Sequence, residues 1–495
     1  MRTLLGIDIG TSSIKAMLLN IETGAVVSSK IEYDVMIPDT GYAEQNPETW
    51  WNGLVEILNR MHAGEETKEA FENIAGIGFS GQMHGLVCVD SMGRSVRPAI
   101  LWLDQRTRDE VSTINEKLAG SGERERICNR IVTGFAFPSL LWMKKNEAEN
   151  YKRIHKIFLP KDYIRYRITG TIGTDMTDAS ATGIYDVENR RWARKLIEKF
   201  EFKQSIFPEC HESYENAGYV TEECSKLTGL KAGVPVVYGC GDQMAQSVGN
   251  GVYQEGRLIS NFGTGGQVSA YMNRMTFDRE MRTNTFCHAV NKGYSVFGAT
   301  LNCGSALKWL CKSMYKFDER CYEIAEKLAE ESPAGSKGII YLPYLSGERS
   351  PIMNSEAKGV FFGLKLEHDK RHILRAGMEG IIYSLKDCLL TLQQMGIDSK
   401  EIIASGGGVA NDLMLQMQAD IFEKEIKVCN VSEQACLGAC IIAGTGLGMF
   451  DIDSACDRYI TCSDRTYLPI EENVKIYREQ FEKYHRIYEK TKDLM

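Results

Sequence analysis

Apolar and polar positions follow two rhythms along this chain. Short apolar runs at Thr3–Ile9, Ile74–Phe79, Val234–Tyr238, Arg257–Phe262 and Ile402–Ala404 each end on a Gly-rich turn. Between them, Trp50–His62, Tyr322–Glu331 and Arg371–Met395 carry apolar residues at helical spacing. The first rhythm predicts buried strands, the second amphipathic helices. Strands alternating with helices predict an α/β fold.

One pattern occurs twice. Leu4-Leu5-Gly6-Ile7-Asp8-Ile9-Gly10-Thr11-Ser12 reads as a strand and a Gly-Thr-Ser turn, followed by more strand over Ile14–Leu19. Leu258–Phe262, the turn Gly263-Thr264-Gly265-Gly266 and Gln267–Tyr271 repeat it about half a chain later. A duplicated unit predicts two similar domains facing a shared cleft. With 495 residues, 43% of them hydrophobic, the chain is long enough for two large cores.

In each turn the glycines let the backbone come close to a ligand and aim successive N–H groups outward, and the hydroxyls of Thr11, Ser12 and Thr264 add donors. That is an anion nest suited to phosphate. GxxxxGK[ST] is absent, so neither is a Walker loop. Asp8 interrupts an apolar strand beside the first turn. A buried carboxylate needs a partner: Mg²⁺ on one reading, turn amides on the other. Lys15 is placed to reach a phosphate oxygen, or to stand in solvent. A third glycine cluster, Ser405-Gly406-Gly407-Gly408-Val409-Ala410-Asn411, opens a helix over Asp412–Phe422. Backbone without side chains there can lie against a nucleotide, or simply turn from strand to helix.

Asp242, in Gly239-Cys240-Gly241-Asp242-Gln243, stands at the carboxyl end of a strand, where α/β proteins present residues to a cleft. A carboxylate there can accept a hydroxyl proton, or cap the following helix, Gln243–Val248. Met83 and His84 follow another strand end, and His84 can bond a sugar hydroxyl or serve the turn. Trp102, within Trp102-Leu103-Asp104-Gln105-Arg106, adds an aromatic beside a charge pair.

Composition excludes several classes. A net charge of −8 and a pI near 5.7 argue against a nucleic-acid surface. The mean hydropathy of −0.26, and the lack of any apolar run of about 18 residues, argue against a membrane span. The opening MRTLLGIDIG does not read as a signal peptide. Fifteen cysteines are scattered singly with no CxxC pair, Cys436 and Cys440 being the nearest. They are expected to be free thiols in a reducing cytoplasm, and no metal site is expected of them.

Several stretches, taken together, resemble the FGGY family of carbohydrate kinases, most of all its xylulokinase members. They are GIDIGTSSIK, GIGFSGQMHG, FLPKDYIRYRITG, TDMTDASATGIYD, GCGDQ, NFGTGG, FCHA, YLPYLSGERSP and KGVFFGL, in that order along nearly the whole chain. The resemblance implies two actin-like, ribonuclease-H-like domains around a central cleft holding ATP and Mg²⁺. The expected division is residues 1–243, with the sugar-binding part, and 244–495, with the nucleotide-binding part. Asp242 is then the general base and Asp8 the metal-linked carboxylate. Thr11, Ser12, Lys15, Gly263 and Thr264 lie at the phosphates. Gly304, Gly407, Gly408 and Asn411 line the adenosine pocket, while Met83, His84, Trp102 and Gln243 meet the sugar beside Asp242.

Three positions depart from the xylulokinase pattern. Gln243 replaces a common Asn, Leu103 stands where WND is frequent, and Ser139 replaces a usual Lys. The implied reaction is ATP-dependent phosphorylation of a small sugar, D-xylulose first, with another ketose, a polyol or a sugar acid as the alternative. A homodimer is the oligomeric state left open. A non-catalytic nucleotide switch on the same fold is the rival from another class. Such a switch needs no sugar base, which Asp242 and the GQMHG turn supply.

Overall fold

The computed structural model describes residues 2–430 and 433–495. Two seven-stranded mixed sheets organise the chain, one in each half. In the first, Thr3–Ile9 pairs antiparallel with Ser13–Asn20 and parallel with Ile74–Gly81. In the second, Leu258–Phe262 pairs antiparallel with Gly266–Met272 and parallel with Glu401–Ser405. The repeated pattern in the sequence is thus a repeated hairpin with a parallel neighbour. It brings both Gly-Thr turns to the same end of their respective sheets.

Thr3–Ile9 is buried along its whole length. Helices cover both faces of this sheet, which is why the strand is apolar without alternation. One covering helix, Pro47–Ala63, begins where Asn46 accepts from the Glu48 N–H and Pro47 takes the first turn. It buries Trp50, Leu54, Ile57, Leu58 and Met61 on one stripe.

The other covering element comes from the far end of the chain. Helix Gln434–Gly446 lies on the first sheet, with the Cys436 carbonyl against Gly6 and the Ala439 carbonyl against Gly78. The Cys440 thiol also packs on Gly6, so the CxxxC spacing is one helical face seated on glycine. The same helix crosses helix Asp242–Gly249 where Gly438 meets the Ala245 carbonyl and Gly249 meets that of Gln434. The boundary read after residue 243 falls inside helix Asp242–Gly249. One hydrophobic core runs from Leu4 and Met17 through Met244 and Val248 to Cys436 and Cys440.

All fifteen cysteines are unpaired, and all but Cys210 and Cys462 are buried. Among the described residues no helix is long and apolar enough to cross a membrane.

Candidate active site at the ends of the two sheets

Asp8 sits next to last on its buried strand, opposite Lys15 in the hairpin and alongside Ser80 in the parallel pair. The Ser80 hydroxyl donates to Asp8 Oδ1 at 2.7 Å. Burial nevertheless raises the Asp8 pKa, against the pull of Ser80 and Lys15. Lys15 is held by Glu433 at 2.6 Å, an ion pair between the hairpin and the segment that enters the Cys436 helix. The sequence leaves Lys15 open between a phosphate oxygen and solvent; in the structure its ammonium has a carboxylate partner.

Asp242 occupies the first turn of its helix, half-buried, with no side-chain hydrogen bond among the described residues. Burial and the nearby Asp8 carboxylate push its pKa up to about 7. The preceding Gly241 has room only for hydrogen: a Cβ there would lie 2.6 Å from Met83 Cγ and 2.9 Å from its sulfur. Met83 therefore packs directly under the residue before Asp242. Gln243, next on the helix, has its amide nitrogen buried without a partner. A buried donor left open in this way is costly unless a ligand meets it.

A short helix, Met176–Ala181, ties these pieces together. Thr177 Oγ1 accepts from the Gly241 N–H at 2.8 Å. The Ala181 carbonyl lies 2.6 Å from His84 Nδ1, and Ser180 Oγ accepts from the Cys287 N–H at 3.0 Å. The helix is capped by Asp175. It is anchored by Lys161, whose fully buried ammonium lies 2.7 Å from Asp162, 2.9 Å from Asp175 and 3.1 Å from Asp178. Arg165 adds a second buried cation 3.8 Å from Asp162, which still leaves two cations for three carboxylates, and burial with this crowding drives the Asp178 pKa well above the ordinary range.

His84 takes a positive φ of 68° and stacks on Phe135 at 4.4 Å between ring centres. Burial lowers its pKa to about 4, so the ring is neutral near pH 7. A neutral ring donates through Nδ1 to the Ala181 carbonyl and leaves Nε2 as an acceptor. Trp102 donates through its indole N–H to Thr11 Oγ1 at 2.9 Å, and Gln45 donates to the Thr11 carbonyl at 2.7 Å. Thr11 is thereby fixed, whereas Ser12 is exposed.

Two of the departing positions lie away from this chemistry. Leu103 is 41% exposed, and the buried Ser139 donates to the Phe135 carbonyl within its own helix. Asp104 and Arg106 form a buried ion pair under the sheet edge.

The nucleotide-side residues converge on a cavity of about 980 Å³. Gly263, Thr264, Gly304, Gly407, Gly408 and Asn411 all line it. The Gly304 N–H donates to the Gly263 carbonyl at 2.9 Å, and Ser305 donates to Thr264 at the same distance. Gly406 has a φ of 83°, and a Cβ there would sit 2.7 Å from the Phe262 carbonyl. At Gly407 nothing lies within 4 Å of the Cβ position, so its backbone is open toward the cavity. Asn411 uses its side-chain oxygen to cap the next helix, through Met414 N at 2.7 Å, leaving its amide N–H groups for the cavity. Motif reading missed several lining residues: Trp309 and Tyr322 add aromatic surface, and Lys308 adds a cation. They lie outside the Gly-rich turns, on helical stretches with no distinguishing spacing.

The two sides touch through Asn261, whose amide donates to Gln246 Oε1 at 3.2 Å, one turn along the Asp242 helix. The second Gly-Thr turn therefore starts two residues from a contact with the helix that carries Asp242.

Comparison with known proteins assigns the family. The profile of the FGGY family of carbohydrate kinases, N-terminal domain, matches residues 3–249, and that of its C-terminal domain matches residues 258–447. The chain belongs to the FGGY family of carbohydrate kinases. The xylulose kinase of Staphylococcus xylosus is 34% identical over 99% of this chain and 100% of its own. The crystal structure of a xyloylose kinase from Brucella ovis superposes with a TM-score of 0.93 at 31% identity, covering 100% of both chains. The gluconate kinase structure from Lactobacillus acidophilus does so with a TM-score of 0.92 at 26% identity, over 99% of this chain and 98% of that one. As an FGGY kinase the protein is a phosphotransferase, and the switch reading gives way to an enzyme.

Proposed function

We propose that this FGGY kinase transfers the γ-phosphoryl group of ATP to the terminal hydroxyl of D-xylulose, giving D-xylulose 5-phosphate. The observation that carries the reading is Asp242 at the start of its helix, directly after the Gly241 that packs on Met83, with burial and, less strongly, the Asp8 carboxylate raising its pKa to about 7. A base with a pKa close to the working pH is suited to proton transfer. Full-length similarity to proteins named xylulose kinase supports the sugar.

Asp242 accepts the proton of the attacking hydroxyl. Met83, His84, Trp102 and Gln243 orient the sugar, with Gln243 donating its open amide N–H to a hydroxyl. The amides and hydroxyls around Thr11, Ser12, Gly263 and Thr264 meet the phosphates as charge spreads over their oxygens. Lys15 stays with Glu433 and adds positive potential beside Asp8. Gly304, Gly407, Gly408 and Asn411 hold the adenosine. Residues 1–243 supply the sugar part and 244–495 the nucleotide part, and closure of one on the other excludes water.

Asp8 also fits Mg²⁺. Among the described residues no three His, Cys, Asp or Glu side chains form a metal cluster, and Mg²⁺ usually needs only one or two carboxylates plus phosphates and waters. When bound, it offsets the phosphate charge.

ADP release measured across ketoses, polyols and sugar acids, with products weighed by mass spectrometry, tests the reading. D-xylulose is expected to give the highest kcat/KM. A higher value for gluconate would favour the sugar-acid reading, to which the similarity with gluconate kinase points.

A further inference from the structure

A small cavity opens beside His84, and three arginines line it: Arg130, Arg282 and Arg349. Arg282 is paired with Asp278 at 2.8 Å, and Arg130 is exposed to solvent. Arg349 differs from both. It is half-buried, and its guanidinium makes no hydrogen bond or ion pair among the described residues. Desolvated guanidinium groups are normally satisfied by carboxylates or other acceptors. This one faces a cavity shared with a neutral histidine whose Nε2 is a free acceptor.

We propose that Arg349 is a substrate-binding residue whose guanidinium donates hydrogen bonds to sugar oxygens at the His84 end of the site. The proposal rests on the sugar-kinase reading above and adds a contact from the other half of the molecule. A hydroxyl both donates and accepts. His84 Nε2 accepts a hydrogen bond from its O–H, and Arg349 donates one to its oxygen. A neutral acceptor beside a fixed cationic donor therefore matches a hydroxyl-bearing carbon chain.

The neighbouring residue makes the contact consequential. Glu348 is buried, and its Oε1 accepts from the N–H groups of both Leu301 and Arg349 at 2.7 Å. Its Oε2 lies 3.4 Å from Asn302 Nδ2. Leu301 and Asn302 lead into Gly304 at the nucleotide cavity. One dipeptide thus reaches the sugar with one side chain and holds the nucleotide-side segment with the other.

The test is steady-state kinetics of Arg349→Gln and Arg349→Lys with the best sugar of the panel, alongside sugar-independent ATP hydrolysis and melting curves. The Gln variant is expected to raise the sugar KM about tenfold or more, as loss of a charged hydrogen bond does. The Lys variant should fall between, with the ATP KM unchanged. A sugar KM within about twofold of wild type in a folded Gln variant overturns the proposal. So does an equal rise in both KM values, which would mark a structural role through Leu301–Gly304. If Arg349→Gln melts early, Arg349→Lys gives the same readout. Should wild type prefer a sugar other than D-xylulose, only the substrate assignment falls, because the arginine test is run on the preferred sugar.

Discussion

The backbone N–H of Gly241 donates to the Thr177 hydroxyl at 2.8 Å. That bond fixes the residue directly before Asp242 to a helix whose other end meets His84. Asp242, the proposed proton acceptor, and His84, proposed to meet the sugar, are therefore both positioned by one six-residue helix anchored on Lys161.

Thr177→Val keeps the shape and leaves the Gly241 N–H buried without a partner, a loss of about 1–3 kcal/mol in local order. It should lower kcat about tenfold, within that range, and leave the ATP KM unchanged, while Thr177→Ser stays near wild type. An unaltered kcat in the valine variant would mean that the loop is placed by other contacts.

Asp242 must be ionised to accept a proton, so kcat/KM should rise with pH through about 7. Asp242→Asn should reduce kcat by about 10²–10⁴. Stability runs the other way. The folded carboxyl binds its proton more tightly than the unfolded one, so its contribution is present below the ordinary carboxylate range and is lost as pH rises through about 7. Calorimetry should show Asp242→Asn melting above wild type at pH 8, with a smaller gain at pH 5.

Asp8 repels the charged form of Asp242. Asp8→Asn should therefore move the acid limb of any residual activity to lower pH and raise the Mg²⁺ concentration needed for half-maximal rate. An acid limb that stays in place, with an unchanged Mg²⁺ titration, would confine Asp8 to its bond with Ser80.

Gln243 and His84 test the sugar site from two sides. His84→Ala removes the Nε2 acceptor and should lower kcat/KM for the best sugar by about 1–3 kcal/mol, with little change in sugar-independent ATP hydrolysis. Gln243→Asn withdraws the open amide by one methylene, and the ratio of kcat/KM values between D-xylulose and competing sugars should shift. If neither variant differs from wild type, the sugar binds elsewhere.

Gly438→Ala probes the helix crossing. Its Cβ would collide with the Ala245 carbonyl, and backbone cannot move aside as a side chain does. The expected cost is about 1–3 kcal/mol, seen as a lower melting temperature, with both KM values of the surviving fold intact.

The strands and turns were legible because burial on both faces leaves an unbroken apolar run, as in Thr3–Ile9, and because glycine is demanded wherever backbone meets backbone. Gly263, Thr264, Gly407, Gly408 and Asn411, read from two glycine-rich turns, line one cavity for that reason, and Gly304, expected from the family resemblance, joins them. Long-range pairing was not legible. Lys15 looked free for phosphate, since its partner Glu433 lies 418 positions away. Arg349 stood in the sequence only as part of the stretch YLPYLSGERSP, with no role of its own, and only the fold shows that Glu348 spends its carboxylate on backbone N–H groups and leaves the guanidinium open. The Lys161 cluster was hidden similarly, because Asp162, Asp175 and Asp178 have nothing in their spacing to announce a shared cation.

The Cys440 thiol reaches the Leu4 carbonyl across 436 positions. During synthesis the first sheet is complete long before helix Gln434–Gly446 exists. Until then the face carrying Gly6 and Gly78 has no cover, and the nascent amino-terminal half presents an open apolar sheet to its surroundings. A ribosome-bound chain of this protein must therefore be shielded or held loose until almost its last segment emerges. A shortened gene product that stops before Gln434 would remain in that uncovered condition however well its own strands pair.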